Sequence, residues 1–285
     1  MNTNIYQSEV AQLKSFNNLF IEMSAKSCNQ HCKHCYIDFP RYKKVEDFID
    51  LDTIKEALND TKQFPINCIY LTGAEPMTHP NFNTILRLCL QRTNVCICTN
   101  GSFINEKKAR FLKKVEDETK NEIIFKISID YFEEDKNDEI RYRGAFRQAV
   151  FAIKYLTKYA FEPIVCVTNY WNESEQNLFD GFKKVFQDCD FDFDKSHLQI
   201  NPYFDKNKPQ TENFKRCAKQ LDCEYGRMLT VSGIYTCPFL SDDYRGRCGS
   251  SFKDFANKVT LETNCCSTCL NAQKGIFSID FSKFS

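Results

Sequence analysis

Short apolar runs alternate with helical patterns along the first two hundred residues of the chain. Runs rich in β-branched and aromatic residues occur at 18–23, 68–72, 95–99, 123–129, 164–167 and 197–200. Between most of them, apolar residues recur every three or four positions, at 51–61, 81–92, 106–116, 146–159 and 175–186, which is the spacing of one helix face. This alternation predicts an α/β fold with parallel strands and right-handed crossovers.

The alternation stops near Lys206. The stretch 205–213 is polar and contains a proline, and seven cysteines follow between Cys217 and Cys269. We therefore place a domain boundary there. The prediction is a large α/β domain over 1–205 and a small cysteine-rich domain over 206–285.

Sixteen cysteines are far more than packing requires in a chain of 285 residues. Lys plus Arg equals Asp plus Glu at 38 each, so no net positive charge gathers nucleic acid, and we do not expect it as a partner. No apolar run reaches the roughly 18 residues of a membrane-spanning helix, and the N-terminus lacks the apolar core of a secretory signal. The sequence predicts a cytoplasmic protein without membrane association. Because the cytosol is reducing, metal or cluster ligation explains the cysteines better than disulfides do.

Three cysteines directly follow the first predicted strand. Cys28, Cys32 and Cys35 thereby fall in one loop at the carboxyl edge of the sheet, where ligands are expected. Three thiolates can hold three iron corners of a 4Fe-4S cube and leave the fourth iron open. A structural zinc site is the alternative, with His31 or His34 as the fourth ligand. Plain packing is disfavoured because the loop is polar.

The spacing Cys28-x3-Cys32-x2-Cys35 resembles the signature of the radical S-adenosylmethionine superfamily. The resemblance implies a partial (β/α)6 barrel of the TIM type, a 4Fe-4S cluster and S-adenosylmethionine as cofactor. It also implies a reaction in which reductive cleavage of the cofactor gives a 5'-deoxyadenosyl radical that abstracts a hydrogen atom from an inert carbon. A flavodoxin- or ferredoxin-type protein is the expected electron donor.

Other superfamily elements follow in the expected order, each after a predicted strand. Gly73-Ala74-Glu75-Pro76 is similar to the Gly-Gly-Glu-Pro motif, which implies contacts with the ammonium of the methionine moiety. In isolation each element has a plainer reading as a turn, a helix cap or a surface charge. The resemblance implies cofactor contacts at His34, Gly73, Ala74, Glu75, Thr99, Asn100, Ser128, Asp130 and Arg143, the last as the partner of the methionine carboxylate.

The C-terminal cysteines form two pairs. Cys223 and Cys237 stand at the two ends of a predicted hairpin about Ser232-Gly233, which brings the two thiols together. Cys266 and Cys269 have the two-residue spacing that lets neighbouring thiolates share one metal centre. Two plus two gives a closed four-cysteine site.

This arrangement resembles the twitch domain, a shortened relative of the SPASM domain. The resemblance implies that Cys223, Cys237, Cys266 and Cys269 hold an auxiliary 4Fe-4S cluster. Cys217 is an alternative to Cys223, and a zinc knuckle or a second, partly open cluster remains an alternative reading. The other cysteines within predicted strands and helices are interpreted as packing residues: Cys68, Cys89, Cys96, Cys98, Cys166 and Cys189.

Cys248 lies between the two C-terminal pairs and is flanked by Arg245 and Arg247. These arginines could lower the pKa of its thiol. By similarity to some radical epimerases, Cys248 is a candidate donor of a hydrogen atom to the substrate radical, with ligation or plain burial as alternatives.

The substrate class rests on the region ahead of the barrel. Peptide-maturing relatives often carry a leader-binding domain there, whereas only residues 1–17 precede the first predicted strand. This favours a small metabolite, with a peptide captured at the barrel mouth as the alternative. A noncatalytic iron-sulfur or zinc protein is the rival from another class.

Overall fold

The computed structural model describes residues 9–37, 46–204, 220–241, 243–272 and 275–279. The strands of these ranges are β1 Glu9–Gln12, β2 Asn18–Ser24, β3 Cys68–Gly73, β4 Asn94–Thr99, β5 Ile123–Ser128, β6 Ile164–Asn169, β7 Leu198–Pro202, β8 Gly226–Thr230, β9 Gly233–Tyr235, β10 Arg247–Ser251, β11 Asp254–Phe255 and β12 Lys258–Leu261. The helices are α1 Leu51–Asp60, α2 Phe82–Leu90, α3 Glu106–Glu116, α4 Glu134–Ile140, α5 Ala145–Lys158, α6 Glu175–Phe186 and α7 Asn264–Asn271.

Strands β2 to β7 lie side by side in chain order, and every neighbouring pair is parallel. A helix follows each of β3 to β6 and packs its apolar stripe against the sheet. Since a parallel pair needs a crossover between its strands, the alternation read from the sequence dictates this layout. The predicted α/β fold with a partial barrel is confirmed.

Side-chain caps set where the helices begin. The Asp50 carboxylate accepts a hydrogen bond from Thr53 N (2.8 Å) at the start of α1, and the Asn105 side chain accepts from Lys108 N (2.9 Å) at the start of α3. Such caps satisfy amide groups that have no partner inside the helix. Of the described helices, none is both apolar enough and long enough to span a lipid bilayer.

The cysteine-rich C-terminal part continues the barrel sheet. Strand β8 pairs in parallel with β2, and β9, β10 and β11 add antiparallel strands, so the sheet has ten strands within the described ranges. The predicted hairpin corresponds to β8 and β9, with Gly233 at φ +123° in its turn. The predicted domain boundary after residue 205 falls among residues 205–219, outside the described part, and stays a prediction.

The segment 275–279 runs across the barrel interior. The Asp222 carboxylate accepts hydrogen bonds from the main-chain amides of Ile276 (2.7 Å), Phe277 (3.0 Å) and Ser278 (2.9 Å). Phe277 and Ile279 then pack on an apolar layer of strand residues inside the barrel: Phe20, Cys68, Tyr70, Cys96, Ile124, Ile164, Met228 and Tyr235. In the described part of the chain, this layer occupies the barrel interior towards the amino ends of the strands.

Candidate active site

The three cysteines of the first motif lie in the loop after β2 and line one pocket. Burial raises the pKa of the Cys28 and Cys32 thiols, and it raises that of Cys35 to about 11, because removal from water disfavours the charged thiolate. A metal centre that binds here must displace these protons. In the ranges that the structure describes, no group of three His, Cys, Asp or Glu side chains has the geometry of a site for a single metal ion.

The thiol-bearing loop is held on both sides by main-chain hydrogen bonds. Glu75 N donates to the Ser27 carbonyl (3.1 Å), and Lys33 N donates to the Ile140 carbonyl (2.8 Å). The loop is thereby tied to the segment after β3 and to the end of α4. Three thiols fixed around one pocket, with no carboxylate among them, are a donor set suited to an iron-sulfur cluster with one iron left open.

The Glu75 carboxylate joins two neighbouring loops. It accepts hydrogen bonds from Met77 N (3.1 Å), from the Thr99 hydroxyl (2.8 Å) and from Asn100 N (2.9 Å). Burial raises the pKa of Glu75 to about 7, despite these donors. The Asn100 side chain in turn donates to the Cys28 sulfur (3.8 Å). The loops after β3 and β4 are therefore fixed to the cysteine loop through one buried carboxylate.

Gly73 is required by the backbone at the end of β3. Its φ is +119°, and a Cβ at this position would lie 2.4 Å from the Ser24 carbonyl oxygen, so any other residue would clash. This close approach lets Ala74 N donate to that carbonyl (2.8 Å). Gly73, Ala74, Thr99, Asn100 and Ser128 all line this pocket, and their contacts with the cofactor stay a prediction.

Asp130 lies behind the pocket and contacts two basic side chains. Its Oδ2 lies 2.6 Å from His34 Nε2 and 2.6 Å from Arg141 Nε, and its Oδ1 accepts from Thr168 N (2.9 Å). Burial opposes ionisation, yet the Arg141 and His34 side chains hold the pKa of Asp130 well below its usual range. The carboxylate thus fixes His34 and Arg141, both of which line the pocket.

The structure places the two arginines that follow α4 differently. Arg143 is exposed on the turn that precedes α5 and does not line the pocket. Arg141, two residues earlier, is buried where α4 ends, and its guanidinium lies 3.8 Å from the Cys32 sulfur. Because α4 ends at Ile140, the Arg141 side chain turns inward, whereas the Arg143 side chain turns outward.

The wall of the pocket away from the cysteine loop carries residues that the sequence analysis did not single out. Lys126 of β5 and Asn201 of β7 line it, together with the Cys98 and Cys166 thiols, which were interpreted as packing residues. Aromatic side chains from the end of the barrel and from the C-terminal part also line the pocket: Phe204, Phe239 and Phe277. A lysine in the otherwise apolar strand β5 is the signal that could have revealed this wall.

A second pocket is lined by all four predicted auxiliary ligands. Cys223, Cys237, Cys266 and Cys269 meet there, and Cys265 lines the same pocket. Cys266 and Cys269 are one turn apart in α7, which places them on one helix face. Burial raises the pKa of Cys223 to about 12, and it also raises the pKa values of Cys237 and Cys269 well above the usual range of a thiol. Cys217, the alternative ligand, lies outside the described residues.

A buried arginine lies beside the second pocket. The Arg227 side chain is fully buried, and its guanidinium donates to the carbonyls of Cys223 (2.6 Å), Gly226 (2.7 Å), Ala256 (3.3 Å) and Asn257 (3.1 Å). The charge thus lies close to the Cys223, Cys237 and Cys248 thiols, with which it interacts electrostatically.

Cys248 is buried within the C-terminal part. The thiol is buried between Thr236 Oγ1 (3.5 Å) and the Gly246 carbonyl (3.5 Å), and it lines neither pocket. The nearby guanidinium is that of Arg227, whereas Arg245 pairs with Asp243. Strand β10 is short and twisted by a register shift, which turns Cys248 into the interior of the C-terminal part.

Two aromatic rings separate the two pockets. Phe239 and Phe277 line both, and their ring centroids are 4.7 Å apart in an edge-to-face arrangement. The first pocket and the four-cysteine pocket are therefore neighbours across a single layer of side chains.

Comparison with known proteins gives the class. The family model for the radical SAM superfamily matches residues 24–177, more than half of the chain, so the chain belongs to that superfamily. Its members are enzymes that use a 4Fe-4S cluster and S-adenosylmethionine. The first cysteine loop, the Glu75 loop and Asp130 all fall within the matched residues.

Solved structures share the fold at low sequence identity. The structure titled native anSMEcpe with bound AdoMet matches with a TM-score of 0.62 at 16% identity, over 89% of this chain and 80% of that chain. Streptococcus suis SuiB bound to precursor peptide SuiA matches with a TM-score of 0.64 at 12% identity, over 86% of this chain and 64% of that chain. No curated protein sequence matches the chain.

Proposed function

We propose that this enzyme carries out a two-electron oxidation at an unactivated carbon of a small metabolite. Cys28, Cys32 and Cys35 would hold the first cluster, and the four cysteines of the second pocket would hold an auxiliary 4Fe-4S cluster. When bound, these clusters and S-adenosylmethionine supply the 5'-deoxyadenosyl radical that removes a hydrogen atom and an acceptor for the electron that the substrate then loses.

The shared wall of Phe239 and Phe277 is the observation that supports oxidation. An electron that leaves a substrate in the first pocket has one layer of side chains to cross before the second pocket. Redox-neutral epimerisation would instead need a hydrogen-atom donor facing the substrate, and Cys248 lines neither pocket. The position of Cys248 therefore weakens the epimerase alternative.

The chain's own residues position the cofactor and exclude water. Asp130 fixes the Arg141 guanidinium in a geometry that suits the methionine carboxylate, and Glu75 fixes the loops that carry Thr99 and Asn100. The aromatic wall closes the far side, so that a reactive radical meets few solvent molecules.

A peptide substrate is the second candidate. The anSMEcpe enzyme has been solved with bound AdoMet and a Cp18Cys peptide, and SuiB with its precursor peptide SuiA. Both share this chain's fold. The first pocket could therefore take up a side chain of a peptide and oxidise it by the same chemistry.

The fifteen cysteines within the described ranges are all unpaired, which is in keeping with a reducing cytoplasmic location. The first cluster needs an external reductant, for which we propose a flavodoxin- or ferredoxin-type protein.

Anaerobic reconstitution tests the proposal. The full chain should bind about eight iron atoms, since two 4Fe-4S clusters are expected, and should release 5'-deoxyadenosine under dithionite. Replacement of Cys28, Cys32 and Cys35 together by alanine should leave about four iron atoms and no 5'-deoxyadenosine. A chain that binds only zinc, or that leaves S-adenosylmethionine intact, would contradict the proposal.

A further inference from the structure

The pleat of β5 places a lysine inside the barrel. Side chains alternate along a strand, so Ile124, Lys126 and Ser128 share the inward face. Ile124 belongs to the apolar lower layer, and Ser128 lines the pocket at the carboxyl end of the strand. Lys126 lies between them, is 3% exposed and lines the same pocket. A cation therefore faces the lower side of the pocket.

The charge of Lys126 is incompletely compensated. Its Nζ donates to the Phe277 carbonyl and lies 5.6 Å from the centroid of the Tyr70 ring. In the part of the chain that the structure describes, no carboxylate forms an ion pair with it. An ammonium group has three N–H donors, and a buried charge is costly unless it is paired with an opposite charge.

The side chains next to Lys126 in the pocket are two thiols and an amide, and none of them is a carboxylate. Cys98 and Cys166 interact electrostatically with Lys126, and the Asn201 side chain donates to the Cys166 sulfur (3.2 Å). All four residues line the pocket. We call these four residues the Lys126 wall. It presents one positive charge to whatever occupies the pocket.

We propose that the Lys126 wall binds a carboxylate group of the substrate. This inference rests on the proposed function in so far as the first pocket is the substrate site. A carboxylate matches a wall with a single cation, whereas a phosphate dianion would call for a second one. The Arg141 guanidinium is held by Asp130 and is, under the proposed function, the partner of the methionine carboxylate of the cofactor, so it does not supply that second cation to the substrate. The carboxylate would orient the substrate so that its carbon skeleton extends from β5 towards the carboxyl edge of the sheet.

Titration calorimetry with simple probes tests this binding. The reconstituted full chain with S-adenosylmethionine would be titrated with propionate and with propionamide, and in a second arm with N-acetyl-dialanine and its amide. Each carboxylate should bind more tightly than its amide. Tighter binding of the acetylated dipeptide than of propionate would identify a peptide as the source of the carboxylate, and the reverse order would identify a small metabolite.

Variants separate recognition from structural support. Lys126→Gln should weaken carboxylate binding by roughly tenfold or more, which is the usual effect of losing a hydrogen bond to a charged group, and should bind acid and amide alike. Lys126→Arg should keep the preference for the acid. Lys158→Gln, which removes an exposed lysine paired with Glu106, is the matched control.

Some outcomes would overturn the inference. Equal binding of acid and amide by the unchanged chain would do so, and so would an acid preference that survives in Lys126→Gln. If Lys126→Gln does not fold, the inference is still tested by the acid–amide comparison in the unchanged chain and in Lys126→Arg, both of which should prefer the acid. Iron content and 5'-deoxyadenosine release, measured on the same samples, show separately whether the proposed function holds.

Discussion

The two cysteine sites differ in what surrounds their thiols. The first site has three cysteines in a loop, and its pocket also contains charged and polar groups such as Glu75, Arg141 and Lys126. The second has five cysteines around a small pocket whose other residues are mostly apolar, such as Leu240 and Leu261. An incomplete ligand set in a polar pocket suits binding and chemistry, whereas a complete set in an apolar pocket suits electron storage. Four predictions test this contrast.

Loss of one thiol at the first site should have the largest effect. Cys32→Ala should abolish 5'-deoxyadenosine formation, because two thiolates no longer hold the cluster. Chromatography of quenched anaerobic reactions measures this. Cys189→Ala, at a buried position on neither pocket, is the control and should retain activity. Unchanged turnover in Cys32→Ala would show that the cofactor is cleaved elsewhere.

The two neighbouring arginines should behave very differently. Arg141→Ala leaves the buried Asp130 without its main partner, which typically costs about 3–5 kcal/mol, and should lower both the melting temperature and cofactor cleavage. Arg143→Ala changes an exposed side chain and should alter the free energy of unfolding by about 0.5 kcal/mol or less. Scanning calorimetry of the two variants measures the two melting temperatures and tests this difference. Equal effects would mean that Arg143 also contributes to the site.

Loss of one thiol at the second site should uncouple the reaction. Cys266→Ala should lower the iron content and impair product formation, yet it should spare some cleavage of S-adenosylmethionine, because the first site is intact. The measurement is iron per chain together with 5'-deoxyadenosine released without substrate. Complete loss of cleavage in soluble, folded Cys266→Ala would contradict the separation of roles between the two sites.

The smallest expected effect concerns the reduction potential of the second cluster. The Arg227 charge favours the reduced, more negative state of a nearby cluster, so Arg227→Gln should lower the potential and Arg227→Lys should largely keep it. Potentiometric titration followed by electron paramagnetic resonance, in a chain that lacks the first three cysteines, isolates this cluster. An unchanged potential in Arg227→Gln would show that the cluster is insensitive to this charge.

Local patterns explain why most of the barrel was predictable. Helices α3 and α6 have the predicted bounds because capping residues and apolar periodicity agree there. Strand β1 was missed because its only described partner is β12, far away in the chain, and local sequence carries no signal of such pairing. Helix α4 was missed because its residues are nearly all polar, and its stability comes from tertiary contacts.

The position of a site residue was predictable where its motif directly follows a strand. It was not predictable where it depends on the direction in which a side chain points. The cysteine loop and the Gly73 to Glu75 segment both line the pocket, since strand ends meet at one edge of a parallel sheet. Whether Arg141 or Arg143 faces the pocket depends on the residue at which α4 ends. Sequence patterns predict the end of a helix only to within a few residues. The inward direction of Lys126 depends on strand register, which sequence does not fix without the partner strands.

Electron paramagnetic resonance of the reduced first cluster, recorded before and after addition of S-adenosylmethionine, tests most directly whether three thiolates leave one iron free. The material would be a chain in which Cys223, Cys237, Cys266 and Cys269 are replaced by alanine, so that only the first cluster contributes. We predict that the cofactor changes the spectrum, because it binds at the free iron. An identical spectrum in the presence of the cofactor, or a loop that holds only zinc, would contradict this.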